Sequence, residues 1–213
     1  MTLPSVTHVQ VLSRLLGILY LLSSSIKFLA SPVTCYYRYM LGSKKHPNPK
    51  KPEMLYHAST NKDIKLFEPR DVSVRTPDEG KLVFATPDQR VAAMFLVPSE
   101  IGPSEIGVHG DRAIIVINGT VEKFKAKDKG GAIYVLPSDT FSTDPKLGMG
   151  EMEWTSKLPV KPLSKNIYAS ALRALQEFGA EVYLVDSATF RAIQESEDQG
   201  WDIINSLRPY SGK

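Results

Sequence analysis

His57 stands in "EMLYHAST", at the end of a short apolar run and directly before small hydroxyl residues. A histidine at a strand end can hydrogen-bond a ligand, or it can fill space and cap backbone groups. Further polar chemistry is offered by Thr86 in "LVFATPDQR", by Asp144 in "TFSTDP", and by Glu151 and Glu153 in "EMEW". Two acids at period two share one face of a strand. A half-solvated strand shows the same pattern. Asp144 before Pro145 also suits an ordinary turn start, and Thr86 before Pro87 is a natural helix N-cap.

Other chemistries fit the sequence less well. It has no Gly-x-Gly-x-x-Gly and no phosphate-binding P-loop, which disfavours dinucleotide-fold and nucleoside-triphosphate sites. No Gly-x-Ser-x-Gly elbow occurs. The one cysteine, Cys35, precedes the folded body, so an internal disulfide and a cysteine nucleophile in the body are both excluded. One cysteine and 4 histidines make a structural zinc site improbable, and no metal ligands cluster along the chain.

The elements that position these residues read as an α+β domain of short strands and a few helices, without strict alternation. "MLYHAS", "KLVFAT", "RAIIVING", "TVEKFKA", "AIYVLP" and "EVYLVD" are predicted strands. "PDQRVAAMFLV" is a predicted helix with Pro87 in its first turn and Val91, Ala92, Phe95 and Leu96 as its buried stripe. "NIYASALRALQEFG" is the clearest amphipathic helix, stopped by Gly179. The tandem "PSEIGPSEIG" reads as a loop insertion, "LPVKPL" as an extended stretch, and "ATFRAIQESEDQGWDIINSLRP" as a terminal helix or helical pair.

The order "LYHAST", "LVFATPDQRVAAMF", "GGAIYVLPSDTFSTDP" resembles ADP-ribosyltransferase-like domains, in particular the rifampin ADP-ribosyltransferases of His-Tyr-Asp type. Their Tyr-His-Gly-Thr strand end is matched by "YHAS", which places His57 and Ser59. Their second strand, roughly Val-Tyr-Phe-Thr before an alanine-rich helix, is matched by "VFAT", with Phe84 where the family has its stacking tyrosine and Thr86 after it. Their Ile-Tyr-Val-x-Pro and Phe-x-x-Asp-Pro are matched by "IYVLPSDTFSTDP", which places Asp144 on the acidic position. "EWTSKLPVKPL" is similar to the family's closing segment, and "EMEW" to the Glu-x-Glu of arginine-directed ADP-ribosyltransferases. The likeness covers roughly residues 55 to 163.

The resemblance implies short antiparallel or split β-sheets flanked by helices, with NAD as substrate. It implies cofactor contacts at His57, Ser59, Phe84 and Thr86, and a catalytic acid at Asp144 or Glu153. It implies ADP-ribosyl transfer to an unknown acceptor. Breaking the nicotinamide–ribose bond passes through an oxocarbenium-like state that a carboxylate stabilises. Without the tyrosine hydroxyl, the alternative is an inactive version of the fold that serves as a binding or interaction module.

Charge and hydropathy divide the chain into a leader at 1–41, a proline- and lysine-rich linker at 42–52, and the domain at 53–213. Seven basic residues and no acidic one precede Glu53, leaving 19 basic against 23 acidic residues from there on. A mildly acidic body argues against a nucleic-acid surface on the main domain. Residues 9–30 are apolar, but the run from Leu15 to Ile26 is shorter than the roughly 20 residues that span a bilayer. A secretory signal, an organelle transit peptide, a membrane anchor and a helix packed on the body all fit. The expected location is membrane-associated or organelle-targeted, and otherwise cytoplasmic, with membrane contact through 9–30.

Overall fold

The computed structural model describes residues 49–71, 79–144 and 150–212. The leader at 1–41 and most of the linker lie outside them. In chain order come β1 (Met54–Ser59), β2 (Val83–Ala85), α1 (Gln89–Met94), β3 (Ser104–His109) and β4 (Arg112–Asn118). Then follow α2 (Val121–Lys127), β5 (Gly131–Pro137), β6 (Trp154–Ser156), β7 (Ser164–Tyr168), α3 (Ala171–Glu177) and β8 (Glu181–Val185). Two helices, α4 (Ser187–Glu195) and α5 (Trp201–Ser206), complete the described chain. The fold is mixed α+β, with small, mostly antiparallel sheets and a few short helices.

Five successive apolar residues, Ala113 to Ile117, make β4 a strand with two faces to bury. It sits in the middle of the sheet β3-β4-β8, antiparallel to β3 and parallel to β8. Ala113, Ile115 and Ile117 pack with residues of α1 and α3. Ile114 and Val116 pack on the opposite side with Phe190, Ile193 and Ile204 of α4 and α5. The terminal segment is therefore a helical pair, and its amphipathic stripe covers the second face of β4.

The other strands lie side by side. β5 pairs antiparallel with both β1 and β7, and β2 pairs antiparallel with β6. A single bridge, Tyr56 to Thr86, joins the two groups. Strand alternation sorts their side chains. Leu55, Val83, Ala85, Ala132, Tyr134, Leu136 and Trp154 enter one cluster, covered by Phe67 and Val160. Ala58 and Ile133 face the other way, into the cluster around α1 and α3.

Several sequence expectations are corrected. "TVEKFKA" is not a strand but α2: the Thr120 side chain accepts from the Lys123 N–H, Glu122 lies in the first turn and Lys125 and Lys127 in the last. Capping and complementary end charges outweigh the strand preference of Thr120 and Val121. Only Phe124 of this helix is buried. The second copy of the duplicated pentapeptide forms the start of β3, because pairing with β4 outweighs its loop-like composition. Asn166, Ile167 and Tyr168 belong to β7, and the helix behind them starts at Ala171 with Ser170 as its cap. Gly179 does stop it, at φ 76°.

At α1 the N-cap is Asp88, whose carboxylate accepts from the Arg90 N–H, and not Thr86. Thr86 Oγ1 accepts instead from the Asp88 N–H, so its hydroxyl shapes the turn that precedes the helix. Pro87 consequently lies outside the helix. Met94 is buried in the stripe, while Phe95 is 39% exposed at the C-cap. Glu151 lies in a single 3-10 turn and Glu153 precedes β6, so the two do not share a strand face.

Candidate functional site

The junction of β1 and β2 carries the sequence-predicted residues. Tyr56 and Thr86 exchange both backbone hydrogen bonds, at 2.7 and 2.9 Å. Two residues back along β2, the Phe84 carbonyl lies 2.6 Å from Nδ1 of His57. A carbonyl only accepts, so Nδ1 carries the proton and the neutral ring keeps its lone pair on Nε2. The imidazole thus ties the two strands together where their bridge ends.

His57 points to the same side as Tyr134, its partner across the ladder. Phe67 lies against its ring at 4.6 Å and meets Tyr134 edge-on at 5.1 Å. Tyr134 is fully buried, donates to the Asn61 carbonyl at 2.8 Å and accepts from the Ile64 N–H at 3.0 Å. It thereby fastens the 61–64 segment near His57. Burial holds the His57 pKa below the usual histidine range; the Phe84 carbonyl opposes this and the Arg70 charge adds to it. The ring is neutral at neutral pH, as an acceptor at Nε2 requires.

The remaining predicted residues are distributed around this junction. Ser59 ends β1 on the His57 face and accepts from the Asn61 N–H. Phe84 alternates with Val83 and Ala85, so its ring lies on the opposite face from His57, and only its carbonyl meets the imidazole. Thr86 is buried, on the face of Phe84 and Tyr56. Asp144 and Glu153 each lie two residues beyond the Ser142–Thr155 bridge, at the same end of it. Asp144 is exposed and Glu153 half-buried. The structure therefore gathers His57 with Ser59, sets Phe84 and Thr86 across the sheet, and brings the two acids to one strand end.

Sequence reasoning missed Phe67, Tyr134 and Arg90. Their signals were present only as an aromatic in an irregular stretch, a strand tyrosine and a helix-surface cation. Arg90 is bound to Asp88 at 2.6 Å and to the Asp111 carbonyl at 2.6 Å, and the Asp88 bonds raise its pKa further. Tyr56, Asp88, Arg90, Met152 and Phe178 line an open cleft of about 580 Å³ on the face opposite His57. A second cleft, of about 550 Å³, lies at the C-terminal ends of β4 and β8 and contains none of the predicted site residues.

Among the described residues, no three of His, Cys, Asp or Glu are grouped to hold a metal ion, and no helix is long and apolar enough to cross a membrane. The chain matches no family model, no curated protein and no solved structure.

Proposed function

We propose that the domain has an ADP-ribosyltransferase-like fold and transfers ADP-ribose from NAD to an acceptor. The observation that carries this reading is His57, a neutral imidazole whose Nδ1–H is spent on the Phe84 carbonyl. Its Nε2 is left to accept a hydrogen bond from a ribose hydroxyl. In the reaction the C–N bond between nicotinamide and ribose breaks and nicotinamide leaves with the electron pair. The acceptor then bonds to the ribose carbon and loses a proton. Asp144 or Glu153 stabilises the cationic sugar between those events. The leader supports a place at a membrane or in an organelle.

One observation favours a second reading, an inactive domain that only binds. Phe84 lies on the face opposite His57, so it cannot stack on a nicotinamide held beside that imidazole. Nicotinamide release from NAD by the full chain separates the two. The transfer reading expects release that falls on the order of 10²–10³-fold in His57→Ala and in one of Asp144→Ala or Glu153→Ala. Saturable NAD binding without release selects the binding module, and no NAD binding at all defeats both.

A further inference from the structure

Six large hydrophobic side chains are exposed among the described residues, and three of them, Leu158, Leu163 and Ile167, fall between positions 158 and 167. The geometry of β7 accounts for part of this. It is the outer strand of its sheet, and Leu163 and Ile167 alternate onto the side of the sheet that carries Tyr134 and Leu136. Phe67 and Val160 cover that side and exchange backbone bonds at 2.9 Å. They point inward, so their neighbours Leu66 and Lys161 turn outward. Leu163 and Ile167 are 63% and 59% exposed. Among the described residues, none buries them.

Charge accompanies the apolar side chains. Residues 154–176 contain no acid, and Lys157, Lys161, Lys165 and Arg173 fall within them. Lys157 and Lys161 are exposed. Lys165 is engaged by Asp63 at 3.3 Å and by the Lys62 carbonyl, so it is discounted. Glu68 is another acid near Leu66. Lysine alone is a common guard of an edge strand, but leucine and isoleucine beside it expose the apolar surface that such a guard normally breaks up. Leucines interleaved with lysines match a boundary that is apolar below and anionic above.

We propose that this face docks on an anionic lipid bilayer, with Leu158, Leu163 and Ile167 entering the headgroup boundary and Lys157 and Lys161 meeting lipid anions. The leader is also basic, apolar and acid-free up to Glu53, so the chain has two separate stretches of this character. Prolines 159 and 162, which have no N–H to donate, make the approach to β7 a poor template for an added strand.

The test uses the full chain with vesicles of phosphatidylcholine, with and without phosphatidylserine. Hydrogen exchange is followed at residues 157–168, so that binding through the leader alone registers as no local change. Exchange there slows on the phosphatidylserine vesicles. In Lys157→Gln/Lys161→Gln the concentration of vesicles needed rises roughly thirtyfold at low salt, and in Lys157→Arg/Lys161→Arg it stays unchanged. Leu163→Asp/Ile167→Asp, both at exposed positions, loses the protection while keeping the thermal midpoint. Unchanged exchange on vesicles overturns the proposal. So does protection that depends on protein concentration and persists without lipid, because the face would then pair two copies of the chain.

Discussion

The two β-regions of this protein are built on opposite terms. In β3-β4-β8 the residues Ile114 to Ile117 of β4 are paired on both sides, and both faces of the strand are covered. At the junction of β1 and β2 one bridge holds two strands, and a side chain supplies the next tie. The first region stakes its stability on hydrophobic burial, which is non-directional and cumulative. The second depends on a few directional bonds, each exposed to pH and to whatever approaches Nε2. A site needs the second kind of construction, and the first kind is what can hold it in place. Local openings are expected at the junction well before β4 yields.

The largest effect should therefore come from β4. Ile115 is fully buried between the helices and strands of its cluster. Ile115→Ala should cost about 2–5 kcal/mol, read as a fall in the denaturant midpoint with an unchanged slope. Nicotinamide release or NAD binding per folded molecule should be unaffected. A loss below about 1 kcal/mol would mean that the contrast between the two regions is wrong.

Asp128 offers a smaller test, because it joins the sheets through a helix end. Its carboxylate accepts from the Gly130 N–H, the Ser170 hydroxyl and the Ala171 and Leu172 N–H groups. It caps α3 from outside that helix. The turn that delivers it needs Gly130 at φ 61°, where an added Cβ would lie 2.0 Å from the Tyr168 carbonyl oxygen. Asp128→Ala should destabilise by about 1–3 kcal/mol in a denaturation series, and Asp128→Asn should recover part of it. If Asp128→Ala is neutral, the Ser170 cap and the apolar face hold α3 without the carboxylate.

This contrast also explains what the sequence disclosed. β4 was legible because five apolar residues in a row admit few other uses, and α3 because Ala171, Leu172, Leu175 and Phe178 repeat at helical spacing. The strand read in "TVEKFKA" failed because the Thr120 cap and end charges act locally and override residue preference. At the site, His57 was conspicuous as a residue type. Its tautomer, however, is set by a carbonyl 27 positions away, which no spacing in the sequence announces. Phe84 stood beside a plausible motif, yet its face is decided by strand parity relative to Val83 and Ala85. The path of the chain over His57, fixed by Tyr134 and Phe67, depends on tertiary contacts alone.

The smallest expected effect is the most informative about the junction. His57 has a folded pKa below its unfolded value of 6.5, chiefly through burial. Below about pH 6.5 the unfolded chain binds a proton at this histidine that the folded chain resists. Stability therefore rises with pH through that window and is lost as pH falls through it, until the folded pKa is reached. Protonation leaves the Nδ1–H bond to the Phe84 carbonyl intact but puts a second proton on Nε2 and a charge beside Phe67. His57→Gln removes the titration, so the fall in stability between about pH 6.5 and pH 5 should flatten in the variant, measured by thermal midpoints across that range. The three other histidines and the carboxylates contribute equally to both proteins and cancel in the difference. An unchanged slope would mean that the ring titrates as it does in water, with Nε2 open to solvent and no burial at the junction to tune it.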